Sequence, residues 1–132
     1  MLHHLSFGVT DIHRAAAFYD AVLATLGYVR VWEDLGDSKP NAAVGYGRAG
    51  GGDKFALKLC TGQAVAPGAG FHLAFTAPAR QAVHDFHDAA LNNGGKDNGA
   101  PGLRPHYGPN YYAAFVVDPD GYWIEAVCDT AV

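Results

Sequence analysis

Two histidines and one glutamate, His4, His72 and Glu125, are spaced as a metal-binding set would be in a duplicated chain. Each histidine opens a matching stretch: HLSFGVTDIHRAAAFYDAVLATLG, residues 4–27, returns as HLAFTAPARQAVHDFHDAALNNGG, residues 72–95. A constant offset of 68 gives eight identities, His4/His72, Leu5/Leu73, Phe7/Phe75, Phe18/Phe86, Asp20/Asp88, Ala21/Ala89, Leu23/Leu91 and Gly27/Gly95. Near the ends the offset becomes 67, so that DKFALKL faces DGYWIEA and Lys58 pairs with Glu125. If a pseudo-twofold repeat wraps equivalent strands around one concavity, polar residues on the faces turned away from the helices converge there. Two imidazoles and a carboxylate would then meet, a donor set suited to Fe(II), Mn(II), Ni(II) or Zn(II) with coordination positions left open for substrate oxygens.

The elements that must position these groups are legible in the hydrophobic pattern. HLSFGV alternates, with Leu5, Phe7 and Val9 on one face and His4, Ser6 and Gly8 on the other, as a strand does. Thr10 or Asp11 can cap a following helix whose apolar residues, Ala15, Phe18, Tyr19, Val22, Leu23 and Leu26, recur at helical spacing, and Gly27 supplies the stop. Three strand-like runs follow, YVRVWED, AAVGYG and KFALKLC, the last two joined by the hairpin segment RAGGGD. The second copy repeats this order. FHLAFT reads as a strand, and Pro78 stands near the start of a helix with Val83, Phe86, Ala90 and Leu91 as its apolar stripe. KDNGAPGLRPHYGPN, rich in Gly, Pro and Asn, reads mostly as loop with room for a weak strand, and YYAAFVVD and GYWIEAVCD close the chain as strands joined at DPDG.

The predicted fold is therefore α+β: two tandem βαβββ modules, residues 1–62 and 70–130 of one domain spanning 1–132, forming a curled, half-open mixed β-barrel with helices outside. At 132 residues the chain holds one core and not two ordinary domains. No apolar run approaches the length of a membrane span, and a net charge of −4 with scattered basic residues disfavours nucleic acid and anionic membranes as partners, leaving a small-molecule substrate. With no export signal at the N-terminus, a cytoplasmic location is expected. Cys60 and Cys128 read as small core residues.

The stretches HHLSFGVTDIHRAAAFYDAVLATLGY, GFHLAF and FVVDPDGYWIEAV resemble the vicinal oxygen chelate superfamily, which includes glyoxalase I, fosfomycin-resistance thiol transferases, methylmalonyl-CoA epimerase, extradiol dioxygenases and metal-free bleomycin-resistance proteins. The resemblance covers nearly the whole chain and implies a glyoxalase-like fold, frequent homodimers, and a divalent metal held by the first-strand histidine, the fifth-strand histidine and the eighth-strand glutamate, here His4, His72 and Glu125. Glyoxalase I carries a fourth ligand, a carboxylate or amide on the fourth strand, where the repeat puts Lys58. A protonated lysine cannot bind metal, which argues against glyoxalase I itself and leaves lyase, isomerase, thiol transferase and dioxygenase chemistry open. The alternative is a metal-free small-molecule binding protein of the bleomycin-resistance type, its pocket lined by Trp32, Tyr46 and Trp123.

Beyond the metal set, Glu125, Lys58 and Tyr107 are the candidate catalytic groups, and Arg104, His106, Tyr111, Trp32 and Trp123 the candidate substrate contacts. Lys58 has three readings: an exposed strand lysine, a cation that neutralises Glu125 in place of metal, or a holder of a substrate anion that could also act as base. His3 should point away from His4 and stay outside the site, and His13, His84 and His87 read as solvated surface residues. Ser6 and Ser38 are the only serines and neither lies in a nucleophile elbow, while GRAGGGDK lacks the spacing of a phosphate-binding loop.

Overall fold

Alternation in the first strand decides which way everything else faces, because Phe7 and Val9 are buried while Ser6 and Gly8 stay half-buried on the opposite side. The computed structural model describes residues 1–36, 40–62 and 65–132, with Ser38 outside them. The first module runs β1 (Leu5–Val9), α1 (Ile12–Ala24), β2 (Val29–Asp34), β3 (Ala43–Gly47) and β4 (Phe55–Leu59). The second runs β5 (Leu73–Thr76), α2 (Arg80–Asn92), β6 (Lys96–Leu103), β7 (Tyr112–Val117) and β8 (Trp123–Cys128). Each module forms a four-stranded sheet, in the orders β1-β4-β3-β2 and β5-β8-β7-β6. One parallel pair, β1 with β4 or β5 with β8, joins antiparallel neighbours in each sheet, which makes both sheets mixed and neither a closed barrel.

Helix α1 is capped by Asp11, whose carboxylate accepts from the Arg14 amide at 3.0 Å, and it buries Ala15, Phe18, Tyr19, Val22 and Leu23. Helix α2 buries Val83, Phe86 and Ala90, but Leu91, expected in its apolar stripe, is 43% exposed. His87 takes a place on the buried face instead. Its Nε2 lies 2.9 Å from Asp97 on β6, so His87 is not the solvated surface histidine that helical spacing suggested, whereas His84 stays exposed, its Nε2 2.5 Å from the Tyr112 hydroxyl. Strand β6 also corrects the sequence reading, since Lys96–Leu103 is paired with β7 rather than looped. Its register slips between Asp97 and Gly99 and again between Gly99 and Gly102, and such bulges erase the two-residue periodicity by which strands are recognised.

The two modules share one core to which the helix-side faces of both sheets contribute, among them Phe7, Val44 and Leu57 from the first and Val116, Ile124 and Ala126 from the second. Phe7 stacks on Tyr122 with ring centroids 3.9 Å apart and meets Phe55 edge-on at 4.9 Å, while Phe55 meets Phe75 edge-on at 5.3 Å. The β7–β8 turn then clamps the first module. Tyr19 donates to Asp118 at 2.5 Å, Thr10 and Arg14 donate to Asp120 at 2.6 and 3.1 Å, and the Tyr122 hydroxyl donates to the Gly8 carbonyl at 2.8 Å. With their helix-side faces committed to this core, the sheets are left with opposite faces that serve other purposes.

Replacing Phe7 by alanine empties a ring-sized volume where the modules join, and urea unfolding should show a loss of about 3–5 kcal/mol. A second expectation concerns acid. The His87 hydrogen bond, with help from the Gly99 amide, holds the Asp97 carboxyl below the ordinary value of 3.8. The folded chain therefore binds fewer protons at Asp97 than the unfolded chain, so this contribution is full above about pH 4 and is lost as pH falls through the folded pKa. Asp97→Asn should lower stability near neutrality and give a shallower decline in urea midpoint below pH 4 than the unaltered protein shows.

Candidate functional site

On β8 the alternation sends Ile124, Ala126 and Cys128 into the core and leaves Trp123, Glu125 and Val127 on the other face. Glu125 is registered with Ala74 on β5 and Phe115 on β7, and Phe115 in turn with Gly99 on β6. His72, two residues before Ala74, lies on that face and reaches across: its Nε2 is 3.0 Å from Glu125 Oε1. The other carboxylate oxygen accepts from the Tyr111 hydroxyl at 2.5 Å. Glu125 is only 1% exposed, whereas half of the His72 side chain meets solvent. A carboxylate taken this far out of water needs both oxygens partnered, and these two groups supply the partners. Burial and the adjoining carboxylate push the Tyr111 phenol well above its ordinary pKa, so it stays protonated as the donor.

Next to this pair opens a cavity of about 390 Å³ bounded by His72, Phe115 and Trp123, and by Asn98, Gly99, Arg104, His106 and Tyr107 from β6 and the loop after it. Tyr107 is 62% exposed at its mouth, packed on His106 at 4.1 Å and on Tyr111 at 5.3 Å. Of the expected substrate contacts, Arg104, His106 and Trp123 line this cavity, and so does the catalytic candidate Tyr107. Tyr111 sits behind it, holding Glu125. Asn98 and Phe115 were missed. Phe115 was findable, because alternation in YYAAFVV puts it on the face opposite the core residues Ala114 and Val116, but Asn98 lies in the bulged stretch that read as loop.

His4 is elsewhere. It borders a second cavity of about 370 Å³ with His3, Tyr28, Lys54, Phe55 and Phe75. It precedes Leu5, the first residue of β1, so ladder pairing does not fix its direction, and His3, expected to diverge from it, lies beside it with Nδ1 atoms 2.9 Å apart. Among the described residues no three His, Cys, Asp or Glu side chains form a group that could hold a metal ion. The donor chemistry of His72 with Glu125 suits a borderline divalent ion, but among the described residues a single chain brings together two of the three expected donors, without His4.

The first sheet presents Trp32, 39% exposed, whose indole lies against Gly45 so closely that a Cβ there would come within 2.2 Å of Nε1. Tyr46 belongs to the opposite face, buried in the core with its hydroxyl donating to Asp20 at 2.9 Å. Strand register also revises the partner of Glu125 in the repeat. Ser6 pairs with Ala56 as Ala74 pairs with Glu125, so Ala56 occupies the position equivalent to Glu125, and the exposed Lys58, paired with Gly8, corresponds to Val127. The fourth-ligand position of glyoxalase I is thus a buried alanine, and the gapless sequence offset misplaced it by two residues.

Paired four-stranded mixed sheets, each with one helix, and a histidine–carboxylate pair on the outer face of the second define a protein of the glyoxalase-like class. The profile of the Glyoxalase/Bleomycin resistance protein/Dioxygenase superfamily matches residues 1–126, and the chain belongs to that superfamily. It is similar to the crystal structure of a glyoxalase/bleomycin resistance protein from Albidiferax ferrireducens T118, at 29% identity over 95% of each chain with a TM-score of 0.72. A glyoxalase/bleomycin resistance protein/dioxygenase family enzyme from Burkholderia phytofirmans PsJN shares the fold at 18% identity over 98% of each chain, TM-score 0.67. A glyoxalase I mutant from Zea mays shares it at 22% identity and TM-score 0.72, over 94% of this chain and 45% of the longer maize chain. No curated protein matches. No described helix is long and apolar enough to cross a membrane.

Tyr111→Phe deletes the donor to Glu125 Oε2 without emptying the ring's volume. The buried oxygen would be left unpartnered, and urea unfolding should report a loss of about 1–3 kcal/mol.

Proposed function

We propose that the chain is a small metal-dependent enzyme of this superfamily in which His72 and Glu125 of one copy and His4 of a second copy hold a divalent ion, Zn, Ni, Mn or Fe(II). The observation that carries the reading is the buried Glu125 carboxylate 3.0 Å from the imidazole of His72, which itself lines a cavity. A bound ion would act as a Lewis acid toward vicinal substrate oxygens. The residues' own work is separate from that: Tyr111 keeps Glu125 oriented, and Tyr107 stands at the mouth with a phenol that can give a proton to an oxygen of a bound molecule. The unpaired faces support a homodimer. With helix-side faces joined in one core, the outer face of the first sheet, bearing exposed Lys58 and Trp32, can meet the outer face of the second only from another copy. Lys58 would then approach a substrate anion at the partner's cavity. The two cysteines are free, as a reducing cytoplasm would keep them.

A metal-free binding protein is the second reading, favoured by the fact that both Glu125 oxygens already have partners. Elemental analysis of protein purified without a chelating tag decides between them. The enzyme reading expects about one ion per chain, lost in His4→Ala, His72→Ala and Glu125→Gln. Mixing His4→Ala with Glu125→Gln copies should then restore part of the bound metal, because one of the two shared centres is intact in the mixed dimer. Metal-free protein throughout favours the binder, and loss without restoration on mixing rules out the shared centre.

A further inference from the structure

The Arg104 side chain is fixed by main-chain carbonyls and an aromatic ring, with no acidic partner among the described residues. Its Nη1 donates to the Gly102 carbonyl at 2.8 Å and its Nη2 to the Ala100 carbonyl at 2.7 Å, and the guanidinium lies over the Phe115 ring, 5.4 Å from the centroid. Two glycines make the space for it. A Cβ at Gly99 would stand 3.3 Å from Nη2 and one at Gly102 3.3 Å from Nη1, and Gly99 also has φ of +149°, which a side chain rarely adopts. Among the described residues two of the five guanidinium N–H groups find acceptors and no carboxylate pairs with the charge, so a half-buried, immobilised cation faces the cavity with donors to spare.

Flat apolar surface adjoins this charge. Phe115 lies between Arg104 and His72, whose ring centroid is 6.2 Å from that of Phe115, and Trp123 adds a half-exposed indole to the same wall. A fixed fork of N–H donors recognises a planar carboxylate, and an aromatic wall recognises a flat ring. We infer that the substrate class of this cavity is an aromatic monocarboxylate, its carboxylate on Arg104 and its ring against Phe115 and Trp123. The inference rests on reading the cavity as the substrate site.

Isothermal titration calorimetry with benzoate, benzamide and cyclohexanecarboxylate tests it on the full chain, once as purified and once after chelator treatment. Saturable heat is expected with benzoate, with benzamide and cyclohexanecarboxylate each weaker by about tenfold or more. Arg104→Met and Arg104→Lys should both weaken benzoate by about tenfold, the lysine because it keeps the charge but loses the fork. Thermal melts identify any variant that fails to fold, and Gly99→Ala, which crowds the guanidinium without removing it, then supplies the comparison. Equal binding of benzamide or cyclohexanecarboxylate, undiminished binding by a folded Arg104 variant, or no heat from benzoate at millimolar concentration would overturn the inference. Benzoate lacks the vicinal oxygen pair of a chelating substrate, so its binding to chelator-treated protein would stand even if the metal reading failed.

Discussion

The clamp between the β7–β8 turn and the first module settles what this molecule can be. Asp118 and Asp120 gather Tyr19, Thr10 and Arg14, and Tyr122 lies flat on Phe7 while bonding the backbone at Gly8. Stacked rings and charge-assisted hydrogen bonds of this kind are among the stronger contacts a core can make. Their consequence is geometric. They commit the helix-side face of each sheet to a shared interior, so the chemically interesting residues end up on faces that one chain does not bring together.

Glu125 shows how a buried charge is made tolerable at such a face. It has almost no contact with water, and its two oxygens are assigned to groups of different character, a neutral phenol from behind and an imidazole open to solvent. The phenol is a fixed structural donor because its own proton is held tightly. The imidazole is the exchangeable partner, half exposed beside the cavity, where an ion or substrate could compete for either group. Arg104 is built on the opposite principle, with main-chain carbonyls and an aromatic ring fixing its direction and no carboxylate among the described residues taking up its charge.

Both modules keep the strand–helix–three-strand order and the same sheet order. At equivalent register the first has Ala56 where the second has Glu125, and glycine-rich β3 with Trp32 laid on it where the second has Phe115 and Arg104. The second half places His72, partner of the buried Glu125, on the wall of a cavity, while His4 borders a different one.

Sequence alone determined the α+β class, the two βαβββ modules and the faces of β1, α1 and β8, because each follows from local periodicity or from a repeat of local patterns. It failed where periodicity is broken or irrelevant: β6, hidden by two register slips, His87, whose partner Asp97 stands on that unrecognised strand, and Tyr111, whose partner is chosen by packing. The equivalence of Lys58 with Glu125 failed for a related reason, since a gapless offset cannot see a two-residue shift in a parallel pairing. Only the tertiary structure decided that His4 and His72 open on different cavities, because which faces of two sheets meet is a property of the core between them and not of either strand.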